Sequence, residues 1–147
     1  MRTVLAALGL MLAMAGPAPA AAPVRDMLIV PGERVGPIAL GMKAAELDQA
    51  VGIPGQVLQQ GKDTTYSWGN IVAQISDGSP GVDLITVNDQ RYETAGHVRV
   101  GLASLALPVV LGQPDKKTAA PGLESLDYDG MTVVVRYNAV AQIRVHK

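Results

Sequence analysis

Side chains able to transfer a proton or hold a metal are few in this chain. It has two histidines, His97 and His146, and no cysteine among 147 residues. Zinc–thiolate, iron–sulfur and thiol-redox chemistry fall with the missing cysteines, and neither histidine has a metal-ligand partner close by in sequence. No H-E-x-x-H, P-loop, G-x-S-x-G or calcium-loop spacing occurs. The stretch "DGSPGVD" from Asp77 to Asp83 brackets a turn with two carboxylates but lacks the alternating oxygen ligands of a calcium loop, so it reads as a hairpin turn. Glu46, Asp48, Asp63 and Asp127 are scattered, and nothing in their spacing makes an acid and base pair. The sequence therefore nominates no catalytic residue, no metal site and no cofactor. The candidate chemistry is that of surfaces.

The first residues, "MRTVLAALGLMLAMAGPAPA", join a basic start at Arg2 to an apolar run and end in Ala18-Pro19-Ala20, the form of a secretory signal peptide. Residues 1–20 are expected to be removed near Ala20, which makes the mature protein periplasmic or secreted. The apolar run is shorter than the roughly 20 residues of a membrane-spanning helix, and without cysteine there is no lipid anchor. Without Arg2 the chain carries 11 basic and 13 acidic residues, and its longest block of like charge is Lys116-Lys117. Nucleic-acid recognition, which needs clustered Lys and Arg, is not expected, nor is a basic amphipathic helix lying on a membrane.

The elements repeat. "VGPIALGMKAAELDQAVGIP", Val35 to Pro54, is matched sixty positions later by "AGHVRVGLASLALPVVLGQP", Ala95 to Pro114, with Gly36, Gly41, Leu47, Gly52 and Pro54 falling on identical residues. Further on, Ile71, Ala73 and Ile75 fall on Met131, Val133 and Val135. The spacing then drops to fifty-eight, so that Asp83, Ile85 and Val87 meet Ala141, Ile143 and Val145. Each unit reads as a short helix followed by a three-stranded antiparallel meander. A helix is expected over Ala44 to Val51, closed by Gly52 and Pro54, with strands at Thr64 to Trp68, Ile71 to Ser76 and Val82 to Val87. In the second unit a shorter or distorted helix, Leu105 to Leu111, is expected behind a Ser104 cap because Pro108 stands inside it. Strands follow at Leu126 to Tyr128, Met131 to Tyr137 and Ala141 to Val145. The polar segment Asn88 to Ala95 should be an exposed link. The fold class is thus α+β, a tandem repeat with both helices packed on one sheet face. It makes a single duplicated domain of residues 21–147, repeat one spanning 30–88 and repeat two 95–147.

Alternation along the strands assigns two faces. The apolar set, including Ile71, Ala73, Ile85, Val87, Val133 and Ile143, should face the helices, with Tyr66 and Trp68 in the core. The opposite set consists of Val72, Gln74, Leu84 and Thr86 in the first unit, and Thr132, Val134, Arg136, Gln142 and Arg144 in the second. Together with Tyr92 of the link, these are the candidate partner-binding residues.

The segment Gly36 to Pro54 also resembles the G-x-I-x-x-G-M-x-x-x-E-L/V-x-x-x-x-G-x-P signature of bacterial envelope proteins with a helix-then-meander fold. That group includes the small lipoprotein of the β-barrel assembly machinery and, in tandem form, β-lactamase inhibitor protein. Gly41, Met42, Glu46, Leu47, Gly52 and Pro54 carry the match; Gly101, Gly112 and Pro114 carry it in the second unit, where Ala106 replaces the acidic residue. The resemblance implies action through protein contacts without a cofactor. The absent anchor cysteine departs from the lipoprotein, and the outward set lacks the aromatics of the inhibitor, so β-lactamase inhibition is not implied. The expectation is a protein-interaction module whose partner is another envelope or secreted protein. A soluble inhibitor of a secreted enzyme is the alternative, and a small envelope enzyme comes third.

Overall fold

A computed structural model describes residues 25–147; the signal-peptide expectation lies outside the described residues. The chain is α+β, mostly sheet with two short helices. Strands β1 (Leu28–Val30), β2 (Arg34–Val35) and β3 (Ile38–Ala39) precede helix α1 (Ala44–Val51). A first meander follows: β4 (Gln56–Gln60), β5 (Asp63–Trp68), β6 (Ile71–Ile75) and β7 (Leu84–Val87). Then come β8 (Glu93–Thr94), a 3-10 turn Ser104–Ala106, helix α2 (Leu107–Leu111) and the second meander: β9 (Lys116–Ala120), β10 (Leu123–Tyr128), β11 (Met131–Arg136) and β12 (Ala139–His146).

Both meanders join one eight-stranded sheet in the order β4-β5-β6-β7-β12-β11-β10-β9, so the last strand of each lies at the centre. A small sheet, β3-β2-β1-β8, contributes Ile29, Val35 and Ile38 to the same core as the inner sheet face. Leu47 of α1 and Leu107 of α2 are fully buried in that core. Burial of each such leucine side chain stabilises the fold by about 1.5–3 kcal/mol.

Each meander has four strands, not the expected three. β4 and β9 were missed because they are the two sheet edges, exposed at every residue, and a strand bare on both faces shows no period of two. Helix α1 matches its expected span; the Glu46 carboxylate accepts the Lys43 N–H (2.9 Å), and Gly52, at φ 87°, closes the last turn. Helix α2 is short and opens on a 3-10 turn, but Ser104 makes no capping hydrogen bond.

Backbone geometry recurs at the sequence spacing. Thr65 opposes Gln74 as Ser125 opposes Val134, and Ala73 opposes Ile85 as Val133 opposes Ile143. The Gly41 N–H donates to the Val82 carbonyl (2.7 Å) and Val82 N–H returns a bond to the Met42 carbonyl (2.9 Å). Gly101, Val140 and Leu102 repeat that pair at 2.7 and 2.8 Å. Gly41 and Gly101 sit at φ 86° and 92°, where a side chain is strained, which accounts for glycine at both positions.

The segment after β7 is the expected exposed link only in part: Asn88, Gln90, Arg91 and Ala95 are exposed, and the residues among them are half-buried or buried. Glu93 and Thr94 form β8 and pair in parallel with Leu28 and Ile29, Thr94 is buried, and the Asp89 side chain is buried in a turn. At Asp89 and Thr94 polarity goes with satisfied polar groups, and at Asn88, Gln90 and Arg91 with exposure. Arg91 donates to both Asp89 carboxylate oxygens, with Nη2 at 2.6 Å. Those bonds, followed by the Arg91 backbone N–H, hold the Asp89 carboxyl below the usual carboxylate range.

Candidate functional site

Cross-strand pairing places the nominated sheet residues on one face across the four central strands. Val72 opposes Thr86 and Gln74 opposes Leu84 between β6 and β7; Thr132 opposes Arg144 and Val134 opposes Gln142 between β11 and β12. Arg136 and Arg144 are exposed, while Val72, Gln74, Leu84, Thr86, Thr132 and Gln142 are half-buried. Val134 is a correction. Only 6% exposed, it forms the floor of the face and offers a partner little surface.

Tyr92 is the second correction. Its ring packs on the core and against Gly36, where an added Cβ would come within 2.9 Å of the ring. Burial pushes its phenol above the usual tyrosine range. It belongs to the small-sheet side and not to the outer face. Tyr66 and Trp68 pack on the core as expected, stacked with ring centroids 6.4 Å apart.

The outer face holds a groove of about 360 Å³ over the second meander. Val134, Leu123 and Ala141 supply its apolar lining; Asn88, Ser125 and Gln142 supply neutral polar groups; Arg136 and Arg144 supply charge. The ladder explains why these residues meet. Between Val134 and Val135 the register shifts, because Val134 opposes Gln142 while Val135 opposes Val140, leaving Ala141 as an extra residue. Such a bulge bends its strand and re-aims side chains. It places Ala141 beside Gln142 in the lining.

A chain of hydrogen bonds orders the polar side. Asn88 Oδ1 accepts from Gln142 Nε2 (2.9 Å), and Gln142 Oε1 accepts from Arg144 Nε (2.7 Å). Asn88 is itself tied by its N–H to the Asn70 carbonyl (2.8 Å). With Nε engaged, the outer nitrogens of the Arg144 guanidinium remain available. Among the described residues neither Arg136 nor Arg144 has a carboxylate within salt-bridge distance.

On the same face Asp127, Thr132 and His146 touch in series. The Thr132 hydroxyl donates to Asp127 Oδ1 (2.8 Å), and His146 Nε2 lies 3.0 Å from that hydroxyl. The order differs from a nucleophile-base-acid relay, since the carboxylate meets the hydroxyl and not the imidazole. His97 lies in the open, 3.1 Å from Glu93 Oε1, with a single carboxylate partner. Among the described residues no group of three His, Asp or Glu side chains has the geometry to hold a metal ion, and no helix is long and apolar enough to cross a membrane.

Sequence reasoning missed Asn88, Leu123, Ser125 and Ala141. The change of spacing from sixty to fifty-eight was the available signal for Ala141, because a ladder that loses register must have a bulge or a changed turn. Leu123 and Ser125 lay upstream of the strand expected from Leu126.

No family model and no curated protein matches the chain. Among solved structures, the fold is similar to that of a cysteine-rich secretory protein from Staphylococcus aureus subsp. aureus Mu50, with a TM-score of 0.54 at 10% identity. The match covers 86% of this chain and 51% of that one, so the chain spans about half the length of that structure. At this identity the likeness is one of fold.

Proposed function

We propose that the protein is a periplasmic or secreted interaction module, built by duplication of a helix-plus-meander unit, that engages another envelope or secreted protein through the outer face of its eight-stranded sheet. The observation carrying this reading is the groove, where two exposed arginines, with no acidic partner among the described residues, flank a nearly buried Val134 floor. The recurring strand registers and the paired Gly41 and Gly101 hydrogen bonds support duplication. The signal-like residues 1–20 support export, and the fold likeness to a secretory protein is in keeping with it.

The test is capture of envelope and secreted proteins on the immobilised protein and on an Arg136→Glu, Arg144→Glu variant. A partner retained by the first and lost from the second supports the reading; equal retention on both overturns it.

Inhibition of a secreted enzyme is the second reading, and one observation favours it. Tyr137 at the tip of the β11–β12 hairpin is 92% exposed. With Asn138 it occupies a two-residue turn at φ 49° and 63°, a type I′ geometry that favours Asn-Gly. A bulky residue held in that region without packing is a projecting anchor. Loss of secreted hydrolase activity on adding the protein, restored by Tyr137→Ala, would distinguish this reading.

A further inference from the structure

We infer that the Arg136–Arg144 groove recognises an acidic, extended peptide segment of a protein partner, one presenting two carboxylates on alternate residues. This rests on the reading of the outer face as protein-binding and specifies the chemistry of what it binds.

Spacing sets the ligand pattern. Arg144 opposes Thr132, and Arg136 lies four residues further along β11, so the two arginine backbones stand about 13 Å apart along the strand at roughly 3.3 Å per residue. Both side chains line the groove, and within that span the proposed ligand sets its carboxylates about 7 Å apart, the repeat of alternate residues in an extended peptide. The guanidinium fork favours carboxylate, which it binds through paired hydrogen bonds. Arg144 is held for this by the Gln142–Asn88 chain, which takes its Nε and leaves its outer nitrogens facing solvent.

The lining argues for a polypeptide and not a free anion. Val134, Leu123 and Ala141 lie between the charges and offer nothing to phosphate, but they fit the stem of a glutamate and a small residue between two of them. The Ser125 hydroxyl and the Asn88 amide nitrogen, which that chain does not use, match a peptide backbone. The chain's formal charge is −1, so the groove is a local positive feature and not part of a basic surface. A second depression of about 200 Å³ at the hairpin end shares Leu123 and is lined by Glu124, Val135 and Tyr137 among others.

The experiment titrates the ¹⁵N-labelled protein with acetyl-Ala-Glu-Ala-Glu-Ala-amide, with its glutamine counterpart, and with inorganic phosphate at matched ionic strength. The glutamate peptide should shift the amide signals of Val134, Gln142 and Arg144. The glutamine peptide should bind at least tenfold more weakly, and phosphate should leave those signals unmoved. Arg136→Gln with Arg144→Gln should remove the response, while Arg99→Gln, elsewhere on the surface, should not. Equal response to both peptides, an equal or greater response to phosphate, or none at the groove with any probe would overturn the inference. A partner captured in an arginine-dependent way by a protein blind to the glutamate peptide would leave the binding module standing and sink the acidic specificity. The converse result would leave an acid-binding groove and sink the module.

Discussion

Gly130, in the turn between β10 and β11, supports a sharp prediction because it differs from Gly122 in one physical respect. Both have positive φ, 71° and 73°, so alanine at either carries the left-handed penalty of roughly 1–2 kcal/mol. At Gly122 an added Cβ meets nothing within 4 Å. At Gly130 it would run into the Gly32 backbone, with the Pro31 carbonyl carbon at 2.8 Å. That contact joins the loop after β1 to the second meander, and the Gly130 carbonyl there accepts the N–H groups of Gly32 (2.9 Å) and His146 (3.2 Å). Displacing the loop costs the Gly32 bond, about 0.5–1.5 kcal/mol net, and the overpacking itself adds about 1–3 kcal/mol. Gly130→Ala should therefore lose about 1–3 kcal/mol more than Gly122→Ala. With a urea m-value of about 2 kcal/mol/M, an excess of about 2 kcal/mol moves the unfolding midpoint by about 1 M. The single tryptophan, Trp68, reports the transition by fluorescence. Gly32→Ala supplies a control from the other side of the contact. Its φ is also 71° but its nearest neighbour lies at 3.6 Å, an ordinary contact, so it should behave like Gly122→Ala. Equal midpoints for Gly130→Ala and Gly122→Ala would refute the view that this backbone contact ties the amino-terminal strand to the second half.

Leu107→Ala should cost about 2–5 kcal/mol because its side chain is fully buried, whereas Leu105→Ala, at a residue 88% exposed, should fall within about 0.5 kcal/mol of the parent in the same urea assay. The Asp89 carboxyl is held low by Arg91, so the unfolded state binds more protons in acid, and stability present above the unfolded value near pH 4 is lost as pH falls through the folded value. Unfolding midpoints taken between pH 6 and pH 3 should fall less steeply for Asp89→Asn; an unchanged slope would remove Asp89 from the account. Replacing Tyr137-Asn138 by Asn-Gly should raise unfolding free energy by about 1 kcal/mol, since that pair suits a type I′ turn, yet weaken binding of any partner that uses the groove rim. Thermal melts and partner titration check the two halves of that statement, and a variant gaining stability with undiminished binding would leave Tyr137 without a role at the rim.

Legibility followed burial. Ile71, Ala73, Ile85, Val87, Val133 and Ile143 alternate because one side of their strands meets the core and the other does not, so both faces of the central sheet could be read before any coordinates. β4 and β9 meet the core with neither side, and the strands of the small sheet are two or three residues long, too short to carry a period. Tyr92 and the buried Asp89 were misread for another reason. A polar run signals exposure only when its polar groups lack partners, and Asp89 takes both oxygens to Arg91.

The groove shows why a repeated pattern predicts construction better than recognition. Gly41 and Gly101 recur because the same pair of backbone hydrogen bonds requires the same positive φ, and neither glycine touches the outer face. At the corresponding spacing Arg136 falls on Ser76, Gln142 on Leu84 and Arg144 on Thr86, so none of the three charge-bearing or charge-orienting groups of the groove has a counterpart. The bulged residue Ala141 falls on Asp83, so the lining residue there changes from an acid to a small apolar side chain. The first meander has the longer turn at Asp77-Gly78, packs Gly81 against Gly41, and ends its β6–β7 ladder at Gln74 opposite Leu84. The two halves therefore differ on the outer face in their side chains, and the second exposes two arginines that line one groove. The proposed binding chemistry rests on that asymmetry, and grafting Arg, Gln and Arg onto Ser76, Leu84 and Thr86 without the Leu123, Ser125 and Ala141 lining should produce charge on the first meander without the groove's proposed preference for the glutamate peptide.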